Sequence, residues 1–273
     1  MKDENNIWEL RAKKYGKKAV GNLTDPLWDR EENILRWTAL KKSLKHIKGQ
    51  KALDIGTGIG HFAIKLAKRG FIVSANDISP TLISIAKQRS IENKVNIDFF
   101  CCAIQDLPFP SNTFDVVLSV TVLQHILEVD DYKRSIKKII DITKINGTIA
   151  IIEYSPKVLS GSFEQRSNKA EMMIPRTRDE WITDFENQGV RFYKEKGIRF
   201  FGYYQGKKRY LHYKNKILNK LGFRKDQSND CSVLMCWIIF TLTILIDYIL
   251  SQIPFFKDKA DTRLLIFKKR SKE

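Results

Sequence analysis

The chain has 273 residues, enough for one well-filled α/β domain with an appendage. Its 43% hydrophobic and 29% charged residues are ordinary for a folded globular protein and exclude an intrinsically disordered chain. The formal charge of +17 suggests an anionic partner, either nucleic acid or an acidic membrane, and the alternative is a merely soluble Lys-rich surface.

Helical and strand-like segments alternate along most of the chain. Residues 1–50 have helical apolar spacing and predict a helical N-terminal arm. Beyond them, strands alternate with helices of about ten residues, which predicts a Rossmann-like, doubly wound, mostly parallel sheet with helices on both faces. Gly147 is expected to break the pattern before the fifth strand. The predicted strands are 51–55, 71–75, 96–102, 114–120 and 148–154, and the predicted helices are 61–69, 80–88, 132–142 and 177–187.

The pattern changes after Val190. A strand-like run over 191–204 is followed by basic residues with scattered aromatics, by an apolar stretch, and by one last strand over 262–267. The α/β fold therefore carries a basic, apolar insert before its final strand. The predicted divisions are the arm 1–50, the core 51–204, the insert 205–257, and the final strand with a basic tail over 258–273.

A glycine cluster follows the first predicted strand, in the sequence DIGTGIGHF. Gly56, Gly58 and Gly60 lack Cβ atoms, so their backbone can approach a bulky ligand. In doubly wound sheets, ligands bind at the carboxyl ends of the strands, where this loop lies. His61 stands where a dinucleotide fingerprint requires glycine. Taken alone, the loop therefore leaves open a tight turn that binds nothing.

The second predicted strand leads to Asp77, 21 residues after Gly56. A carboxylate at this strand tip can accept two hydrogen bonds from a ribose diol. The alternative role is that of a helix cap, but Ser79 followed by Pro80 is the better cap. Asp77 is therefore predicted to be free for a ligand.

Four stretches in collinear order carry a family resemblance. They are LDIGTGIG at 53–60, DIS at 77–79, DLPFPSNTFDVV at 106–117 and KINGT at 144–148. Together they resemble class I S-adenosylmethionine-dependent methyltransferases, in the branch that includes quinone-biosynthesis and many small-molecule enzymes. The resemblance covers about residues 50–155.

The resemblance implies a cofactor site. The loop Gly56–Gly60 would lie against the methionine part of S-adenosylmethionine, Asp54 would hold the loop, and Asp77 would take the ribose hydroxyls. Ala103 stands where the family usually has an acidic residue contacting the adenine amino group. That contact is therefore missing or comes from backbone near Ala103 and Ile104. The predicted cofactor-binding residues are Asp54, Gly56, Thr57, Gly58, Gly60, Asp77, Ile78, Ala103, Ile104 and Ser119.

Methyl transfer from a sulfonium mainly requires alignment of the acceptor and exclusion of water. A general base is needed only where the acceptor must lose a proton, and His125, a few residues after the fourth strand, is the predicted candidate. The alternative is a packed or exposed helix histidine. Glu153 and Tyr154, at the tip of the fifth strand, are further candidates. The chain has no His/Cys cluster that predicts a metal site.

The residues after the fourth strand limit the class of molecule that can accept the methyl group. Ser119-Val-Thr-Val replaces the Asn/Asp-Pro-Pro-Tyr string of amino-methylating nucleic-acid enzymes. A small-molecule or lipid-linked acceptor, of glycan or isoprenoid type, is therefore expected. One alternative is an RNA methyltransferase that uses the basic C-terminal region, in which residues 191–273 hold 19 Lys or Arg and 7 Asp or Glu. Another is a module that holds the cofactor without turnover.

The apolar stretch 231–246 bears on whether the protein crosses a membrane, lies on its surface or stays away from it. Its 16 uncharged residues fall short of the roughly 20 that span a bilayer, and a single crossing would separate the final strand from its sheet. The N-terminus has no apolar segment typical of a secretory signal. We therefore expect a cytoplasmic protein that lies peripherally on an anionic membrane through 205–257. The alternative for 231–246 is a buried helix over the acceptor pocket.

Overall fold

The computed structural model describes residues 4–20, 26–47, 50–168, 172–199, 245, 249 and 260–270. The strands are β1 Lys51–Ile55, β2 Ile72–Asp77, β3 Ile97–Cys101, β4 Phe114–Val120, β5 Thr143–Tyr154, β6 Val190–Arg199 and β7 Thr262–Lys269. The helices are α1 Glu4–Tyr15, α2 Pro26–Ser43, α3 His61–Ala67, α4 Pro80–Glu92, α5 Val129–Ile142, α6 Phe163–Asn168 and α7 Arg178–Glu186.

The described strands form one sheet in the order β3-β2-β1-β4-β5-β7-β6. Strands β1 to β5 run parallel, because each pair is joined by a crossover that contains a helix or a helical turn. β7 is antiparallel to both of its neighbours, β5 and β6. This mostly parallel, Rossmann-like sheet confirms the predicted fold class.

Both faces of the sheet are covered by apolar side chains, as a parallel sheet requires. β1 shows the pattern in a short segment, since Ala52 belongs to one core cluster while Leu53 and Ile55 belong to the other. All three are fully buried, and burying a Leu or Ile side chain contributes roughly 1.5–3 kcal/mol each. β1 is therefore a rigid central support for the loop that follows it.

The antiparallel β7 fixes where the insert joins the sheet. Thr262 pairs with Tyr154 at the carboxyl end of β5 and with Arg199 at the end of β6. The chain therefore leaves and re-enters the described sheet at the edge formed by the carboxyl ends of the parallel strands. The predicted strand 262–267 is confirmed and is two residues longer. The predicted strand 191–204 is found over Val190–Arg199, and its remainder lies outside the described residues.

The start of β5 differs from the sequence prediction. The strand begins at Thr143, paired with Phe114, and passes through Gly147 instead of starting after it. The register shifts in this part of the pair, and Asn146 adopts a positive φ of 63°. A Cβ atom at Gly147 would lie 2.7 Å from the Lys144 carbonyl oxygen. Gly147 therefore permits an irregular strand here, where the sequence suggested a break.

The predicted arm is helical and consists of α1, a 3-10 turn and α2. The predicted insert 205–257 lies outside the described residues except for Leu245 and Ile249, which are helical and about half exposed. Across the ranges that the structure describes, no helix combines the length and apolar character needed to cross a membrane.

Candidate cofactor and acceptor site

The glycine loop connects β1 to α3 in a conformation that favours glycine. Gly56, Gly58 and Gly60 have φ values of 57°, 54° and 76°, in the left-handed region. A Cβ atom at Gly56 would lie 2.5 Å from a methyl carbon of Val122, so that position also lacks space for a side chain. The loop therefore turns sharply and presents bare backbone at the carboxyl edge of the sheet.

Asp54 holds this loop from below, as the sequence predicted. One oxygen, Oδ2, accepts hydrogen bonds from the Thr57 hydroxyl at 2.7 Å and from the Ala63 backbone N–H at 3.0 Å. The residue is 2% exposed, and burial raises the pKa of its carboxyl from 3.8 to about 7 against the opposing effect of these bonds. Asp54 therefore links the loop to the start of α3 and does not contact solvent.

Asp77 closes the other side of the loop. Its Oδ2 accepts from the Gly58 N–H at 2.8 Å and its Oδ1 from the Ser79 N–H at 3.0 Å. Ser79 is the N-cap of α4 and accepts from Leu82 N–H, as predicted. The availability of Asp77 for a ligand stays a prediction, and both of its oxygens already accept one backbone bond. Each carboxylate oxygen still has a second lone pair for a ligand.

The adenine side of the predicted site has no buried carboxylate at the family position. Ala103 is half-buried and precedes a 3-10 turn that begins with the buried Ile104. Nearby, Asn76 donates its amide to the Cys102 carbonyl at 3.0 Å. Its oxygen Oδ1 is buried and has no hydrogen-bond partner among the described residues. Ile78, also predicted, is half-buried between Asp77 and the α4 cap.

Glu153, a further predicted catalytic candidate, lies at the carboxyl end of β5. Its Oε1 accepts from the N–H groups of Val122 and Leu123, both at 3.1 Å, and lies 3.5 Å from the Ser119 hydroxyl. The carboxylate is fully buried, and burial raises its pKa from 4.5 to about 7. The second oxygen, Oε2, has no partner among the described residues. Ser119, predicted to contact the cofactor, is buried and directed at Glu153.

His125 is the last residue of the 3-10 turn 123–125, whose first residue donates its backbone N–H to Glu153. Its Nδ1 lies 2.7 Å from the Met172 carbonyl oxygen, so Nδ1–H donates and Nε2 carries the lone pair. The Gln124 side-chain amide lies 3.3 Å from Nε2. Burial lowers the pKa of His125 below 6.5, against the raising effect of the Met172 bond. The imidazole is therefore held neutral, which is the form that a general base requires.

Comparison with known proteins finds a family model that matches the part of the chain that carries this site. Residues 53–151 match the family model described as a methyltransferase domain. This part of the chain is similar to a methyltransferase domain. Among curated proteins, the ubiquinone biosynthesis O-methyltransferase of Coxiella burnetii is 34% identical over 103 residues. That alignment covers 38% of this chain and 43% of the relative, so the similarity spans less than half of either protein.

Solved structures are similar to this chain over nearly its whole length. The [4+2]-cyclase SpnF gives a TM-score of 0.64 at 15% identity, covering 98% of this chain and 95% of its own. A second neighbour is phosphoethanolamine N-methyltransferase 2 of Haemonchus contortus, solved with phosphomonomethylethanolamine and S-adenosylhomocysteine. Its TM-score is 0.59 at 19% identity, and the match covers 97% of this chain and 60% of that chain. At such identities the likeness shows the fold alone. One neighbour is titled a cyclase, which illustrates that this fold does not determine the reaction.

The structure adds site residues that the sequence did not reveal. Trp8 contacts His125 edge-on, with ring centroids 5.0 Å apart, and Glu9 bonds to the first turn of α4. Val20 lies against Gly58 of the methyltransferase domain. These residues come from the N-terminal arm, and no local motif marks them. The glycine loop, Asp77, Glu153 and His125 all lie at the carboxyl edge of the parallel strands.

Proposed function

We propose that the chain binds S-adenosylmethionine at this edge of the sheet and transfers its methyl group to a small-molecule acceptor. The observation that carries the proposal is the glycine loop closed onto Asp77: bare backbone at positive φ, tied to a carboxylate at the tip of β2. This arrangement fits a ligand that has a ribose diol and a zwitterionic tail. When bound, the cofactor supplies a methyl group already activated on a sulfonium.

The chain's own residues would hold and orient the two substrates. The loop backbone would receive the methionine part, and the remaining lone pairs of Asp77 would accept from the ribose hydroxyls. Because Ala103 lacks a carboxylate, backbone near Ala103 and Ile104 would contact the adenine. The buried Asp54 would keep the loop in place without contacting the ligand.

Loss of the Asp77 carboxylate tests the cofactor assignment. Asp77→Ala is expected to weaken S-adenosylmethionine binding by roughly 1.5–3 kcal/mol, the scale of hydrogen bonds to a charged group. Calorimetry measures the affinity, and Asp98→Ala, which removes an exposed carboxylate from the adjacent β3, is the matched control. Wild-type affinity in a folded Asp77→Ala protein would remove the cofactor assignment.

The proposed acceptor carries a lipid tail or belongs to the glycan or isoprenoid type. The relatives' name, ubiquinone biosynthesis O-methyltransferase, supports a small-molecule acceptor. The described strands that flank the insert support a link between acceptor and membrane, because β6 ends and β7 begins at the edge that carries His125. The apolar run 231–246 and its basic flanks would then lie in an anionic membrane interface, and the protein would be peripheral on it.

Sedimentation with anionic liposomes tests the membrane proposal. The wild-type protein is expected to sediment at low salt and less at high salt, because part of the attraction is screened. Trp237→Asp with Ile244→Asp should abolish sedimentation and leave cofactor binding intact. Ile91→Asp with Val158→Asp is the control, since both side chains are exposed on the described domain. A wild-type protein that remains in the supernatant contradicts the proposal, and salt-sensitive RNA retention would favour an RNA acceptor.

A further inference from the structure

The N-terminal arm crosses the carboxyl edge of the sheet and contacts both sides of the candidate site. On the cofactor side, Glu9 reaches the first turn of α4, directly after Asp77. Its Oε2 accepts from the Ser79 hydroxyl at 2.6 Å and the Thr81 N–H at 3.2 Å, and its Oε1 accepts from the Thr81 hydroxyl at 2.7 Å. One carboxylate therefore makes three hydrogen bonds to a helix start about 70 residues away in sequence.

The position of Glu9 suits its charge. The N-terminus of α4 carries the positive end of the helix dipole, which favours an anion. The bond from Ser79, together with those from Thr81, lowers the pKa of Glu9 from 4.5 to about 2. The carboxylate is therefore ionised at neutral pH. Its side chain is 15% exposed, so water can reach the carboxylate.

The rest of the arm packs over the loop. Ala12 and Ala19 are buried with Leu82 of α4. A Cβ atom at Gly58 would lie only 2.8 Å from a methyl carbon of Val20, so the arm lies directly against the glycine loop. With Trp8 on His125 at the other side, the arm spans from the cofactor side to the acceptor side.

The arm contacts both residues that donate to Asp77, since Val20 lies against Gly58 and Glu9 is bonded to Ser79. Asp77 is 7% exposed, although it lies at a strand tip where ligands of this fold bind. A ligand of nucleoside size that contacts Asp77 must pass beneath residues 8–20. We infer that these residues form a strap over the cofactor, and that Glu9 is a positioning residue that latches the strap and sets how long the cofactor stays bound. This inference rests on the proposed function.

Dissociation of the cofactor product tests the latch. Full-length wild type, Glu9→Gln, Thr81→Val and the double variant are loaded with labelled S-adenosylhomocysteine, and its release is followed after dilution. Glu9→Gln is expected to speed release about tenfold or more, since it removes a charge-assisted contact. Thr81→Val should speed it less, and the double variant should be no faster than Glu9→Gln, because both changes break one contact. Glu92→Gln, at the opposite end of α4, should leave release unchanged.

Hydrogen exchange provides a readout independent of turnover. Amides of residues 8–20 should be protected when the cofactor binds to wild type, and less so in Glu9→Gln. Release from Glu9→Gln within twofold of wild type, or additive effects of the two single variants, would overturn the latch while the methyltransferase assignment stands. A folded wild type that binds neither S-adenosylmethionine nor its product would overturn both proposals, so the two failures are distinguishable.

Discussion

Replacing His125 by alanine is expected to lower turnover by about 10²–10⁴ without changing the affinity for S-adenosylmethionine. The reason is the tautomer that the structure imposes. Because Nδ1 lies 2.7 Å from the Met172 carbonyl, the proton is on Nδ1, and Nε2 can accept one from an acceptor hydroxyl or amine that replaces the Gln124 amide, 3.3 Å away. Single-turnover rates with a methyl acceptor, together with calorimetry for the cofactor, separate the two effects.

The pH dependence sharpens this prediction. Burial lowers the pKa of His125 from 6.5, so the neutral base persists below the pH at which a free histidine becomes protonated. Turnover should therefore fall only below pH about 6.5, and this acid limb should be absent from the residual activity of His125→Ala. His46→Ala, which removes an exposed histidine after α2, is the matched control. A loss smaller than fivefold would make His125 a packing residue.

His125→Ala also removes the partner of Trp8. If the strap depends on this contact, release of the cofactor product will accelerate and cofactor affinity will fall with turnover, in contrast to the unchanged affinity expected for a base. Trp8→Leu, which keeps an apolar side chain and the imidazole, distinguishes the two roles. A base is identified when turnover falls in His125→Ala far more than in Trp8→Leu.

The parts of the site that sequence predicted are those encoded by neighbouring residues. The glycine loop follows from the residue types Gly56, Gly58 and Gly60 themselves, because their positive φ values disfavour side chains. The cap at Ser79 follows equally from the short Ser-Pro pattern. The mostly parallel sheet also follows from local signals, since strands that alternate with helices imply right-handed crossovers.

The parts that sequence did not predict depend on contacts between distant residues. Glu9 and Ser79 are 70 positions apart, and nothing around Glu9 distinguishes it from other surface acids of the arm. The Gly58 N–H was not predicted as a partner of Asp77, because periodicity gives the strand end but not the side-chain direction. Likewise, β5 starts at Thr143 because Thr143 pairs with Phe114, a pairing that the residues around Gly147 do not encode.

Removal of the Glu153 side chain is expected to destabilise the fold by several kcal/mol. Glu153→Ala leaves the Val122 and Leu123 N–H groups without their acceptor, and an unsatisfied buried donor costs roughly 1–3 kcal/mol each. Urea unfolding at fixed pH measures the loss. Glu128→Ala, an exposed glutamate before α5 without a capping bond from its side chain, is the control. A stability within 1 kcal/mol of wild type would show that water replaces the carboxylate.

Glu153→Gln should behave differently, because only one carboxylate oxygen is used. A glutamine can place its oxygen where Oε1 accepts both N–H groups and its amide where Oε2 has no described partner. The pKa of Glu153, raised by burial from 4.5 to about 7, means that the folded state favours the protonated acid. That contribution to stability is complete below pH about 4.5 and is lost as the pH rises through about 7.

The glutamine variant should therefore match wild type near pH 4 and exceed it at pH 8 by up to about 3 kcal/mol. Some decline with pH should remain in the variant, because the pKa of the buried Asp54 is also raised to about 7. Urea titrations at several pH values give both curves. If the wild-type and glutamine curves stay parallel from pH 4 to pH 8, folding does not shift the pKa of Glu153. Glu153 anchors the segment that ends in His125. A stable Glu153→Gln protein should therefore retain turnover. A folded Glu153→Ala protein should lose turnover, because the imidazole of His125 is no longer held in its orientation.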